Sequence, residues 1–299
     1  MEKHKNIRLD KYMTQEFPQY SRAFLKSQIK QGNVLVNGKI KKPSYALKKN
    51  DKIEIKIATP KRPILKPNND IKLSIVYEDS DIIVIDKPAG IATHPARQEC
   101  YNTIANALLA HYPPIKDVGD MPEFRPGIVH RLDKDTSGLM VVAKNYETFA
   151  WLKKQFQERK VVKKYLALVA GKIKKDKGII SKAISRAKGS IKRTTTPQAV
   201  TREAVTYYKA IERFLGYTLI EAKPKTGRTH QIRVHLASIG HPIAGDKLYG
   251  FKRQSPLAGL KRQFLHASYL KFILPDGKMV EFMSELPRDL KDAIKNLKS

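Results

Sequence analysis

The chain has 299 residues, a length that predicts about two domains and allows a sizeable core. Its single cysteine, Cys100, can build neither an internal disulfide nor a multi-thiolate zinc site, and no apolar run is long enough to span a bilayer. Against 28 acidic side chains stand 58 Lys and Arg, a formal charge of +30 that attracts polyanions, nucleic acid foremost. The opening MEKHKNIRLDKY has no apolar signal region, so the expectation is a cytoplasmic protein held by packing alone.

Residues 1–66 hold 17 basic and 5 acidic side chains, the densest positive charge in the chain. Leu9, Tyr12, Met13 and Phe17 recur at helical spacing. Ser21 is placed to cap a second helix that Gly32 ends, with Phe24, Leu25 and Ile29 facing inward. Arg22, Lys26 and Lys30 then form a basic stripe on its outer face, for which a phosphate-binding role is expected. Val34–Val36 and Ile53–Ile57 read as strands, with Asn37-Gly38 as the turn between them. In its order of elements, the segment from Arg8-Leu9-Asp10-Lys11-Tyr12-Met13 to the Ile53 strand resembles the small S-four-type RNA-binding domain. The resemblance covers residues 7–57 and implies contacts to structured RNA through shape and phosphate charge.

Pro60, Pro63 and Pro67 mark an extended linker, which divides the chain into residues 1–58, a linker at 59–70 and a larger domain at 71–299. In that domain strands are expected at Ile71–Tyr77, Ile82–Ile85, Leu139–Ala143, Tyr165–Val169, Val205–Ile211, Tyr217–Ala222 and Ala267–Ile273. Helices are expected at Thr103–Ala110, Tyr146–Glu158 and His230–Ser238, with a short one after Pro287. Strands outnumber helices without regular alternation, so the fold class is α+β around a mainly antiparallel mixed sheet with flanking helices.

Residues 126–144, PGIVHRLDKDTSGLMVVAK, gather His130, Arg131, Asp133, Asp135, Thr136, Ser137 and Gly138 ahead of an apolar strand. By local physics alone this is a turn entering a strand. HRLDKDTSG also matches HRLD-x-x-TSG, the signature of the RluA-type family of pseudouridine synthases. DIIVIDKPAGIATHP, KKYLALVAG, TGRTHQIRVHLASIGHPIAGDKLYG and FLHA follow the family's order around it. The chain thus resembles that family across most of residues 71–274, with an S-four-type module in front.

The resemblance implies isomerisation of uridine in RNA, with large-subunit ribosomal RNA as the expected substrate. Transfer RNA, or a non-catalytic role in ribosome assembly, are the alternatives. The reaction breaks the bond from the ribose anomeric carbon to the base nitrogen and re-attaches the base through carbon 5, so no metal or cofactor is expected. The signature assigns the essential carboxylate to Asp133, acting either as nucleophile or as base at the ribose. Burial would disfavour its charged form, and the matching position for a fixed cation is Arg233. Tyr165 matches the tyrosine whose ring stacks on the base and whose phenol is placed to help remove the carbon 5 proton. Leu265 is expected as an apolar wall and Arg228 as a phosphate or substrate contact. A uridine in folded RNA must be flipped out, and Arg131 or His130 is expected to fill the gap it leaves. Asp135 occupies a variable family position and should be dispensable. His230 and His235 lie five apart, about 140° around a helix, which does not suit a shared metal. A monomer is expected.

Overall fold

In the computed structural model, which describes residues 7–17, 20, 22–56, 65–95, 101–187, 190, 192–197, 200–251, 257 and 259–298, the chain forms two units, Met1–Pro63 and Ile64–Ser299. In the first, the helical spacing of Leu9 and Met13 yields α1 (Leu9–Glu16), and that of Leu25 and Ile29 yields α2 (Arg22–Lys30). These four side chains bury together with Val34, Val36 and Leu47. Gly32, at φ 80°, ends the second helix as expected, whereas Ser21 lies outside the described residues. Strands β1 (Val34–Val36), β2 (Lys39–Ile40) and β3 (Ile53–Ile55) follow. Asn37 and Gly38 both have positive φ, the twist of a tight hairpin. Their turn leads into β2, not directly to the Ile53 strand, and β1 pairs antiparallel with both β2 and β3.

The second unit begins with β4 (Ile75–Glu78) and β5 (Ile82–Lys87), then α3 (Ile104–His111) and a 3-10 turn at Pro113–Asp117. After them come β6 (Ser137–Ala143), α4 (Tyr146–Gln157) and β7 (Val162–Ala170). Strands β8 (Lys177–Ser181), β9 (Ile184–Arg186), β10 (Arg193–Thr194) and β11 (Thr201–Arg202) are short. The long hairpin of β12 (Val205–Phe214) and β13 (Tyr217–Pro224) leads to α5 (Gln231–Ser238), β14 (Leu265–Ile273), β15 (Met279–Met283) and α6 (Arg288–Lys298). Every expected strand and helix is present, although the first strand starts at Ile75 instead of Ile71. Strands β8 to β11 are not among the expected ones, because Lys, Arg, Ser and Thr break up their apolar pattern, and neither is β15, a five-residue strand interrupted by Glu281.

The main sheet runs β4-β5-β6-β14-β7-β13-β12-β8, with β15 also on β14, and a small second sheet runs β10-β9-β11. Pairings in the main sheet are antiparallel except β6 with β14, where Ser137 faces His266 and Gly138 faces Ala267. That junction explains a signature residue. Gly138 has φ 116°, and a Cβ on it would stand 2.3 Å from the Ala267 carbonyl oxygen, so only glycine lets the two strands meet there. Strand β6 is buried along its whole length, as its unbroken apolar run requires. Helix α4, capped by the Asn145 side chain accepting from the Thr148 N–H, turns Phe149 and Leu152 into the core. No helix among the described residues is long and apolar enough to cross a membrane.

Candidate active site

Asp133 sits on the loop that enters β6, and that loop is fastened from behind. The Thr93 hydroxyl donates to the Leu132 carbonyl at 2.9 Å and accepts from the Leu132 N–H at 3.3 Å. Lys87 is wholly buried, and its ammonium donates to the carbonyls of Pro88, Ile91 and Lys134 at 2.6, 2.8 and 3.0 Å. Burial pulls its pKa down to about 7. The Thr136 N–H closes a turn onto the Asp133 carbonyl. Further along, the Thr136 hydroxyl accepts from the Gln263 amide, and the Ser137 hydroxyl bonds His266 Nδ1 at 3.0 Å. The Thr-Ser-Gly part of the signature therefore locks the turn onto the segment leading into β14. Asp135 contributes its backbone carbonyl, which accepts from Arg262.

Facing Asp133 is the N-terminal turn of α5. The Gln231 amide pins it: its oxygen accepts from the Arg228 N–H and the Thr226 hydroxyl, and its nitrogen donates to the Val205 carbonyl and the Thr206 hydroxyl. His230, just ahead, adopts φ 56°. From this anchored turn Arg233, 7% exposed, donates Nη1 to Asp133 Oδ2 at 2.9 Å. Its Nε and Nη2 donate to the two oxygens of Asp246 at 2.7 and 2.9 Å, a bidentate fork. Burial lowers the Arg233 pKa, but Asp246 and Asp133 outweigh it and raise the pKa above that of free arginine. Burial likewise pushes Asp246 up, yet Arg233 and the N–H groups of Leu248 and Tyr249 hold its pKa below the usual carboxylate value. Gly245, at φ 72°, leaves room for this turn, since a Cβ there would meet the Arg262 carbonyl at 2.2 Å.

The rest of the cleft, about 590 Å³, is closed by Tyr165, Leu265, His230, Arg228, Arg131 and Lys163 among others. Tyr165 is buried on central strand β7, and Leu265 lies beside it on β14 opposite Ala167. Burial, reinforced by the charge of Asp133, pushes the Tyr165 phenol up, so it stays protonated and supplies a ring wall more readily than a base. His230 Nε2 stands 4.0 Å from Asp133, while its Nδ1 meets the Tyr249 hydroxyl at 3.0 Å. Arg228 turns its Nε to the Glu203 carbonyl at 3.2 Å. Arg131 is exposed and donates to His94 at 3.2 Å.

One expectation needs correction. His130 is committed to the protein: its ring stacks on Phe156 at 4.6 Å, and its Nε2 accepts the Val141 N–H at 3.1 Å. Burial, followed by the charge of Lys163, lowers its pKa to about 3. It is therefore a neutral strut and not available to fill a gap in an RNA stack. In the stripe of Arg22, Lys26 and Lys30, two of the three cations also serve an acid of their own unit. Arg22 and Lys26 reach the buried Asp10 at 2.9 and 3.4 Å, as does Arg8 at 3.0 Å, and Lys30 stays exposed. Of the histidines, His235 bonds the Thr206 hydroxyl and the Lys182 carbonyl. Among the described residues no group of three or more His, Cys, Asp and Glu is placed to hold a metal.

A chain this basic, with a carboxylate–guanidinium pair set in a cleft beside an aromatic ring and a leucine, has the make-up of an RNA-modifying enzyme. A family model described as RNA pseudouridylate synthase matches residues 81–238, and the S4 domain matches residues 7–53. The chain belongs to the RNA pseudouridylate synthase family. It is 42% identical over 293 residues to an uncharacterized RNA pseudouridine synthase of Aquifex aeolicus, covering 95% of this chain and 92% of that one. It is 39% identical over 305 residues to the ribosomal large subunit pseudouridine synthase D of Pasteurella multocida, covering 98% and 91%. Among solved structures, human RNA pseudouridylate synthase domain containing 1 aligns with a TM-score of 0.60 at 28% identity, over 76% of this chain and 90% of that one.

Proposed function

We propose that this pseudouridine synthase acts on uridines of structured large-subunit ribosomal RNA, with the Asp133 carboxylate attacking the ribose. One observation carries the reading of the site. Asp246 grips the Nε–Nη2 edge of Arg233, whose Nη1 donates to Asp133 Oδ2, so one Asp133 oxygen is pinned and the other is left for the cleft. A carboxylate fixed in this way can add to the anomeric carbon or take the proton from carbon 2′, and either step frees the base. Tyr165 and Leu265 wall the space in which the base turns. Arg131, exposed at the rim, is the residue that fills the stack once the uridine has left it.

The ribosomal reading draws on relatives named as large-subunit synthases and on the S4 domain, which recognises RNA by shape. The isomerisation consumes no electron donor and no phosphoryl donor, so the proposed reaction needs no redox cofactor or nucleotide; a cytoplasmic monomer is proposed with it. Mapping pseudouridine in total RNA from cells with and without this protein tests the substrate. Missing sites in large-subunit RNA support it, and missing sites confined to transfer RNA replace it. Asp133→Asn should remove those sites while RNA affinity changes less than about threefold, or about 0.65 kcal/mol. Retained modification would mean that the essential carboxylate lies elsewhere, whereas lost modification with cellular function intact would favour the assembly-factor alternative.

A further inference from the structure

We infer that Lys163 stabilises the negative charge that uracil acquires as it leaves the ribose, an inference that rests on the uridine reaction proposed above. Lys163 and Tyr165 are two residues apart on β7, so both side chains leave the same face of the sheet, about 7 Å apart along the strand. Both line the cleft with Asp133 and Leu265. A base resting on the Tyr165 ring lies within reach of the Lys163 ammonium.

The neighbouring lysine shows what is unusual about this one. Lys164, on the opposite face, pairs with Glu221 at 3.3 Å. The Lys163 ammonium has no ion pair or hydrogen bond among the described residues. It sits 5.3 Å from the centre of the Phe156 ring, and a Cβ on Gly227 would come within 3.7 Å of it. The nearby His130 is neutral and bound to the backbone, so it offers no counter-charge. Burial brings the Lys163 pKa to about 8. A partly buried ammonium with no anion among the described residues costs some stability, and a ligand that brings a negative charge offsets that cost.

The reaction supplies such a charge only in passing. When the bond from carbon 1′ to N1 breaks, both electrons go to N1 and spread over the O2 and O4 carbonyls. The sugar is meanwhile held either as an ester of Asp133 or as the glycal left after Asp133 takes the 2′ proton. Carbon 5 then bonds carbon 1′ and releases Asp133 or recovers the 2′ proton. Finally the proton on carbon 5 is lost and N1 gains one. Through these steps Lys163 keeps its protons and faces the anionic base. Because the charge exists only between bond breaking and bond making, the contact lowers the barrier more than it strengthens binding.

The test uses the full-length protein and an RNA helix containing its target uridine. In Lys163→Met the single-turnover rate at saturating RNA should fall about a hundredfold or more, while Kd changes less than threefold. Its melting temperature should not fall, because the half-buried Lys163 ammonium has no ion pair among the described residues to lose. Lys163→Arg should restore most of the rate, and the fall of the wild-type rate above about pH 8 should disappear in it. Weaker binding with an unchanged rate at saturation would assign Lys163 to a phosphate and overturn the inference. A variant unchanged in both would reduce it to packing on Phe156, overturning it equally. Wild-type protein that binds RNA yet forms no pseudouridine would count instead against the uridine reading itself.

Discussion

Around Asp10 three cations share one buried carboxylate, whereas in the cleft two carboxylates share one buried guanidinium. Both arrangements satisfy a charge that cannot stand alone away from water, but they leave opposite surpluses. Arg8, Arg22 and Lys26 are about half exposed, so the positive excess over Asp10 faces solvent, as a surface for a polyanion should. In the Asp133–Arg233–Asp246 cluster the excess is negative and concentrated on Asp133, 17% exposed, while Asp246 is sealed. One motif, repeated with inverted stoichiometry, leaves cations facing solvent in the first unit and a carboxylate oxygen facing the cleft in the second.

Asp246→Asn breaks the second arrangement most severely. An asparagine cannot return a two-oxygen anionic fork, so Arg233 keeps a buried charge balanced by Asp133 alone. Stability should fall by about 3–5 kcal/mol, read by urea unfolding. The rate should fall about a hundredfold as Asp133 loses its fixed partner geometry. A variant with wild-type activity would show that Asp133 alone holds Arg233 in place.

Asp246 also marks where the sequence stops being legible. The elements were readable because the apolar spacing of Leu9 and Met13, or of Phe149 and Leu152, survives into the core. Asp133, Tyr165 and Arg233 were readable from their motifs, and the structure gathers all three around one cleft. By contrast, Asp246 lies within the segment TGRTHQIRVHLASIGHPIAGDKLYG without any local pattern that assigns it a partner. Only the burial of Arg233 reveals that its guanidinium requires a second carboxylate. Asp10 likewise reads as an ordinary acid in a helix's first turn, and Lys163 as one more cation in a lysine-rich chain. Their partners, or lack of them, depend on contacts distant in sequence. His130 failed for the same reason: the signature names it, but the Phe156 ring and the Val141 N–H decide what it does.

The first arrangement has a pH signature. Burial raises the Asp10 pKa, but hydrogen bonds from Arg8, Arg22 and Lys26 outweigh it and hold the carboxyl at about 2, below its ordinary 3.8. A folded-state pKa below the unfolded one means the stabilisation is complete above about pH 4 and is lost as pH falls through 2. With partners half exposed to screening solvent, it amounts to about 1–2 kcal/mol. Amide exchange at α1 and α2, corrected for intrinsic rates, should show this loss between pH 4 and 2. Asp10→Asn should be weaker by a similar amount at neutral pH and insensitive over that interval. Equal pH responses in the two proteins would show that the cations gain nothing from Asp10.

Asp135 sharpens the comparison from the other side, as a carboxylate at a variable position inside the signature that shares no cation in either arrangement. It lies two residues past Asp133, yet its recorded hydrogen bond is through the backbone carbonyl, to Arg262, a bond that any residue supplies. Asp135→Asn keeps that carbonyl and leaves Arg233 with both its acids. Turnover should stay within about threefold of wild type, and stability within about 0.5 kcal/mol. A large loss of rate at saturating RNA would show that charge near the turn, and not the geometry of Asp133 against Arg233, sets the chemistry. Near-normal activity beside an inert Asp133→Asn would confine the essential negative charge to the one carboxylate that the Arg233 fork aims into the cleft.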